Sequence, residues 1–172
     1  LVPPTHLAAA ATLRLLGPFV PMLFMGEEWA CSTPWQFFTS YPDEALGAAV
    51  TQGRRAEFAS HGWSSTEVPD PQSPATLHSS YLDWDERSSE PHASVLAWYR
   101  TLLSLRHAEP ELRDPTLPVD IDVDSRRARM PRGSFIVRVW LTGEHQESLP
   151  PDETEVASYP GAALVTRRGM SS

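Results

Sequence analysis

The stretch Pro18 to Phe38 reads PFVPMLFMGEEWACSTPWQFF, and its reading decides the fold. An apolar run, Val20 to Met25, leads straight into Gly26, two glutamates and Trp29. Trp35, Phe37 and Phe38 follow, with Gln36 between them. Short apolar runs of this length suit a buried strand, and a parallel strand buried on both faces carries such continuous apolar sequence. In barrels of alternating strands and helices the C-terminal strand ends carry the site. Glycine, acid and aromatics at that point would form one wall of a sugar site. A core strand leading into an aromatic surface loop fits the same residues.

The residues around this stretch extend the pattern. Thr5 reads as an N-cap for a helix over His6 to Leu16, stopped by Gly17 and Pro18. Helix, short turn and buried strand is the rhythm of an α/β fold with parallel strands. Only one such strand is present, and it needs neighbours on both sides. Residues 7 to 25 do not read as a membrane span or signal peptide, because Arg14, Gly17, Pro18 and Pro21 interrupt them and no basic flank precedes them. The chain begins at Leu1, which suggests a piece of a longer protein.

Further on, Ala30 to Pro42 is an aromatic loop. Pro42 and Asp43 open a short helix, and Gln52 to Ser60 forms a second one closed by Gly62. Trp63 to Ser80, with Pro69, Pro71 and Pro74, is read as a long surface loop. The clearest helix starts at Ser89, Glu90 and Pro91. Its stripe Val95, Leu96, Tyr99, Leu102 and Leu103 is core packing, and Pro110 ends it. Arg106 and His107 suit the negative end of its dipole.

Beyond Leu112 the period changes to two. Val119, Ile121 and Val123 alternate with Asp120, Asp122 and Asp124; Phe135, Val137, Val139 and Leu141 repeat the alternation after Gly133, and Ala162 to Thr166 offers another strand. The expected architecture is therefore α/β followed by β. Residues 1–112 form an α/β part with an extended loop, and residues 113–172 a small antiparallel β-sandwich domain.

At 172 residues and a net charge of −8, the chain is long enough for a core and too acidic to present a footprint for nucleic acid or an anionic membrane. All 14 basic residues are arginine. Cys31 is the only cysteine, which excludes internal disulfides and multi-cysteine zinc sites and suits a cytoplasmic location. Asp120, Asp122 and Asp124 imitate the start of a calcium loop, but Ser125 and Pro131 stand where glycine and glutamate belong, so a solvated strand face is the reading. The histidines lack HExxH spacing, and GxSxG, P-loop and GxGxxG motifs are absent. No metal or cofactor is expected.

Glu27 and Glu28 are the acids of most interest. Adjacent residues leaving a strand point to opposite sides, whereas a retaining glycosidase needs carboxyls about 5–5.5 Å apart from separate strands. One of the two is a candidate for binding a sugar hydroxyl; the alternative is a structural acid paired with an arginine. Trp29, Trp35, Phe37 and Phe38 offer flat faces for stacking on glucose rings, or pack the loop. Asp83, Trp84, Asp85 and Glu86 read as a solvated helix lead-in.

The run FVPMLFMGEEWACSTPWQFFTSYPD, with GRRAEF at Gly53 to Phe58, VPDPQSPATL at Val68 to Leu77, LDW at Leu82 to Trp84 and LLSLRHAEPEL at Leu102 to Leu112, resembles the malto-oligosyltrehalose trehalohydrolase family of the α-amylase superfamily. Pro21, Gly26 and Glu28 match a strand end found across that superfamily; STPWQFFTS and DPQSP favour this family over branching or debranching relatives. The resemblance implies the last strand and helix of a (β/α)8 barrel, then a β-sandwich. It implies hydrolysis of the α-1,4 bond next to the terminal trehalose unit of malto-oligosyltrehalose, by a retaining mechanism without a cofactor. It also implies a functional link to a malto-oligosyltrehalose synthase. The family's nucleophile, acid/base and stabilising aspartate lie on earlier strands, so no catalytic residue is assigned here, and the isolated chain is expected to be inactive. Glu28, Trp29, Trp35 and Phe38 are the expected substrate contacts. A fragment of a branching or debranching enzyme, or a non-catalytic α-glucan-binding module, are the alternative readings.

Overall fold

Alanine and leucine carry the first helix, α1 (Pro4–Leu16), whose opening proline sits where the missing N–H costs nothing. Thr5 lies inside the helix rather than capping it, and Pro3 stands at the cap position without a side-chain bond. The computed structural model describes residues 2–62, 64, 68–118, 120, 122–123, 127–142 and 148–169. Val119, Ile121, Asp124, Ser125 and Trp63, named in the sequence reading, fall outside these. Contacts group the chain into two units, Leu1–Cys31 with Asp85–Ser172, and Ser32–Trp84.

The first unit packs α1 and α4 (His92–Ala108) on a sheet of five antiparallel strands. The strands are β1 (Asp122–Val123), β2 (Arg127–Arg132), β3 (Phe135–Trp140), β4 (Glu153–Tyr159) and β5 (Ala163–Arg168), in the order β1-β2-β3-β5-β4. Alternation sorts their faces as expected. Ala128, Met130, Phe135, Val137, Val139, Ala163 and Val165 share one core with Ala8, Ala11, Leu15, Leu16, Val95, Trp98, Tyr99 and Leu102. Small alanines on α1 let α4 approach, and Trp98 donates its indole N–H to Thr12 Oγ1 at 3.0 Å. The antiparallel character of the region after Leu112 is as expected. The sandwich is not: helices, not a second sheet, cover this face among the described residues.

Three details differ from the sequence reading. The buried stripe of α4 is Val95, Trp98, Tyr99 and Leu102, while Leu103 is exposed; the true spacing is i, i+3, i+4, i+7, the face a 3.6-residue turn aligns. Arginines and a proline hide β2, and polar residues hide β4, so neither was expected as a strand. Finally, Val20 to Met25 forms no strand. Phe19, Val20 and Met22 are 72%, 94% and 81% exposed. A strand needs a neighbour's N–H and C=O groups, and β1 to β5 pair only with one another.

The second unit contains α2 (Glu44–Ala59) and α3 (Pro74–His78). Asp43 caps α2 by accepting from the N–H groups of Ala45 and Leu46 at 2.8 and 3.1 Å. One continuous helix, α2, replaces the two short ones expected, because Gly53 lowers propensity but keeps the backbone N–H and C=O that continue the helical ladder. Ser73 caps α3, which lies within the stretch read as loop.

On the sheet face opposite the helices, Arg138 forms a two-pronged pair with Glu153 at 2.7 and 2.8 Å, and both side chains are buried. Thr166 Oγ1 donates to the same carboxylate at 2.5 Å. The Arg138 hydrogen bonds, against the opposing effect of burial, hold the Glu153 carboxyl below its ordinary range. The folded state therefore takes up this proton less readily than the unfolded chain. The pair's stabilisation is present above the unfolded carboxylate range and is lost as pH falls through the lower folded value. Thermal melts followed by circular dichroism should show Glu153→Gln less stable by about 3 kcal/mol at neutral pH. They should also show a shallower loss of melting temperature below about pH 4 than the parent chain. An equal acid dependence in both would overturn this account.

Candidate functional site

A tight turn ends the exposed apolar segment. Gly26 has φ of 85°, a left-handed backbone that favours glycine, and starts a single 3-10 turn over Glu27–Trp29. Ala30 closes it, also left-handed, and Cys31 N–H donates to the Gly26 carbonyl at 2.8 Å. The two glutamates part as adjacent residues must. Glu27 turns inward, accepting from both terminal nitrogens of Arg14 on α1 and from the Tyr99 hydroxyl of α4 at 3.4 Å. The Glu27 hydrogen bond raises the Arg14 pKa. Burial first, and then the Glu27 charge, pushes the Tyr99 hydroxyl up to about 12. Glu27 is therefore the structural acid. Glu28 has no hydrogen-bond or ion-pair partner among the described residues and is half-buried, free for other work.

Trp29 is 1% exposed. With both ring faces covered it cannot serve as a stacking platform in this structure; its carbonyl accepts from His92 Nδ1 at 2.9 Å, which joins the turn to the start of α4. That contact requires the proton on Nδ1, since a carbonyl only accepts. From the other end of α4, Arg106 donates to the carbonyls of Leu15, Gly17 and Phe19 at 2.7, 2.8 and 2.9 Å. This guanidinium fixes the exit from α1 and the start of the apolar segment.

Trp35 and Phe38 belong to the second unit. Their rings meet edge to face with centroids 5.3 Å apart, and half of Trp35 is exposed. Arg54 on α2 lies over the Phe37 and Phe58 rings at 5.0 and 4.4 Å. The backbone of this aromatic loop is held by Gln72. Its Oε1 accepts from Thr39 Oγ1 at 2.6 Å and from Tyr41 N–H at 3.1 Å, and its Nε2 donates to the Tyr41 carbonyl at 3.1 Å. Thr39 N–H donates to the Pro71 carbonyl at 2.8 Å. Asp70 in turn accepts from Gln72 N–H at 2.9 Å and Thr51 Oγ1 at 2.8 Å, so its carboxyl lies below the ordinary range. Gly47 makes room: a Cβ there would stand 2.5 Å from Gln72 Nε2.

Glu28 and Trp29 thus lie on one unit and Trp35 and Phe38 on the other. Sequence reasoning missed Gln72, Thr39 and Tyr41. Its signal was the joint presence of the DPQSP and STPWQFFTS runs, whose contact no spacing rule reveals. Gln72→Ala should leave the α2 helix content intact, yet increase the rate of proteolytic cleavage between Phe37 and Tyr41 by about a hundredfold, as three hydrogen bonds of about 1 kcal/mol each are lost. Limited proteolysis with mass spectrometry measures it, and unchanged cleavage would sink the clamp.

No family model matches the chain. It is 54% identical to the malto-oligosyltrehalose trehalohydrolase of Arthrobacter ramosus over 135 residues, 78% of this chain and 23% of that protein. Identity to the enzyme of the same name from Rhizobium sp. (strain M-11) is 50% over 139 residues, 79% of this chain and 23% of that one. Among solved structures, a putative alpha amylase from Salmonella typhimurium superposes with a TM-score of 0.71 at 28% identity, over 95% of this chain and 31% of that one. An isomaltulose synthase from Erwinia rhapontici superposes at 0.57 and 17% identity, over 96% of this chain and 38% of that one, a likeness of fold alone. The chain spans about a quarter of the length of the curated relatives it matches, in their C-terminal part. In sequence this chain is similar to the malto-oligosyltrehalose trehalohydrolases over about a quarter of their length, and in fold to a putative alpha amylase.

Proposed function

We propose that this chain is the C-terminal portion of a glycoside hydrolase that cleaves the α-1,4-glucosidic bond next to the terminal trehalose unit of malto-oligosyltrehalose and releases trehalose. The observation that carries the reading is the 54% identity to a relative bearing that name, over 78% of the chain. Residues 1–112 are the end of a (β/α)8 barrel and residues 113–172 its β domain. The exposed apolar side chains of the segment Phe19 to Met25 support this, because upstream barrel strands would cover them. Glu28 offers its unengaged carboxylate to a sugar hydroxyl, and Trp35 and Phe38 offer ring faces to glucose units. Trp29 anchors the turn that carries Glu28. The catalytic carboxylates come from the upstream strands, and no cofactor is required. A malto-oligosyltrehalose synthase supplies the substrate, in the cytoplasm.

Two experiments test the reading. The purified chain should release no trehalose from malto-oligosyltrehalose, and turnover by it alone would contradict the proposed division of labour. Substituted for the matching segment of the Arthrobacter ramosus relative, the chain should give an active hydrolase. A folded but inactive chimera would end the proposal. In that chimera Trp35→Ala and Glu28→Gln should each raise KM about tenfold, the loss of about 1.4 kcal/mol of substrate binding. The half-exposed Trp35 also favours a second reading, a non-catalytic glucan contact. Saturable quenching of tryptophan fluorescence by maltohexaose in the isolated chain would support it.

A further inference from the structure

Helix α2 presents one stripe to the aromatic loop and the proline-rich stretch of its own unit, and the proposed substrate contacts leave that stripe without a role in binding. Its positions Gly47, Thr51, Arg54 and Phe58 repeat at the i, i+4, i+7, i+11 spacing of one helical face. Gly47 packs against the Gln72 side chain, and Thr51 Oγ1 donates to Asp70 at 2.8 Å. One turn further on, the Arg54 guanidinium lies over the Phe37 ring, its Cζ 5.0 Å from the centroid, and over the Phe58 ring at 4.4 Å. Arg54 and Phe58 both come from the run GRRAEF, and Phe37 from STPWQFFTS. Two runs that no spacing rule connects therefore meet at this guanidinium.

Arg54 is itself held in place. Its Nη1 donates to Glu57 Oε2 at 3.1 Å, one turn along the same helix, so its charge is answered locally. Phe37 is nonetheless 46% exposed: Arg54 covers part of the ring and leaves the rest to solvent. An unsupported ring on a loop turns about two side-chain bonds, and fixing it lowers the affinity of whatever binds there. The stacked guanidinium removes that freedom in advance. A cation already on the ring disfavours a second one, and Glu57 neutralises the charge that would draw an anion. The surface suits a neutral molecule with a flat apolar face and hydroxyls at its edge, which describes a glucose ring.

We propose that Arg54 is a positioning residue for glucan binding: it holds Phe37 so that the open part of the ring stacks on a glucose unit of an α-1,4-glucan. The inference rests on the reading of this aromatic loop as a sugar contact, and adds Phe37 and Arg54 to Trp35 and Phe38. Arg54 acts through the ring, since its fork is engaged by Glu57.

Titration of the full chain with maltohexaose, followed by saturation-transfer NMR, tests this without any turnover. Maltohexaose should bind saturably with a Kd below about 10 mM. Phe37→Ala should weaken binding about tenfold and Arg54→Ala about fivefold, with helix content unchanged by circular dichroism. Phe37→Tyr, which keeps the ring, should bind as the parent does. In the double variant Arg54→Ala/Phe37→Ala the loss should equal that of Phe37→Ala alone, because the guanidinium has nothing left to position. Four outcomes would each overturn the proposal: no saturable binding by the parent, parent-like binding in either alanine variant, lost binding in Phe37→Tyr, or fully additive losses in the double variant. Turnover by the chimera is a separate readout. An active chimera beside a chain that ignores maltohexaose would overturn this inference and spare the hydrolase reading; an inactive chimera beside the expected double-variant result would do the reverse.

Discussion

Where elements of the helix–sheet unit meet, a guanidinium closes the polar groups left over. Arg106 takes the carbonyls that α1 leaves open at its end and the first carbonyl of the apolar segment. Arg132, fully buried, donates to the carbonyls of Glu111, Asp114 and Leu117 at 3.2, 2.5 and 3.4 Å, tying the connection after α4 to the sheet. Arg14 and Arg138 do the same through carboxylates. A planar guanidinium presents five donors in fixed directions, where a lysine ammonium offers three on one rotating head. A chain with arginine and no lysine can use that geometry at every junction. It has a cost: the Nε atoms of Arg14 and Arg132 are buried without a hydrogen-bond partner, each a desolvation loss that the other donors must outweigh.

Residues whose local pattern agrees with their final surroundings were legible in the sequence. Phe135, Val137 and Val139 alternate, and they line the core. Val95, Tyr99 and Leu102 repeat at helical spacing, and they are buried. Asp43 sits before a helical run, and it caps that helix. The failures have a common physical form. Arg127 and Arg129 obscure β2 because its polar face is built from arginines, whose long stems cover apolar surface while their heads stay polar. Val20 to Met25 reads as a core strand because apolarity records burial in some assembly, without recording which neighbours provide it.

The same distinction separates identity from placement at the candidate site. Glu28, Trp29, Trp35 and Phe38 were grouped by closeness in sequence, and Trp29 proved to be core while Trp35 and Phe38 belong to a different unit. Gln72 was passed over because an amide in a proline-rich stretch has no periodicity to betray it. Its role depends on a loop more than thirty residues earlier: the Thr39 hydroxyl and both backbone groups of Tyr41 are its partners. Hydrogen-bond hubs of this kind specify a loop by satisfying its backbone, and they become visible only once both segments have coordinates.

The paired glutamates show why such placement decides chemistry. Two adjacent carboxylates would repel and raise each other's pKa if they shared a site. The turn after Gly26 avoids this by sending Glu27 into a charged and hydroxyl-lined niche, where Arg14 and Tyr99 fix it. Because Glu27 holds α1 and α4 together through that niche, the single turn that follows inherits a fixed direction. Trp29 locks it from the other side by burial and by its bond from His92. Glu28, between them, is positioned by its neighbours' contacts and spends none of its own carboxylate capacity on the fold. A carboxylate held this way is already ordered by its neighbours' contacts, the kind of preorganisation that lowers the cost of any binding event.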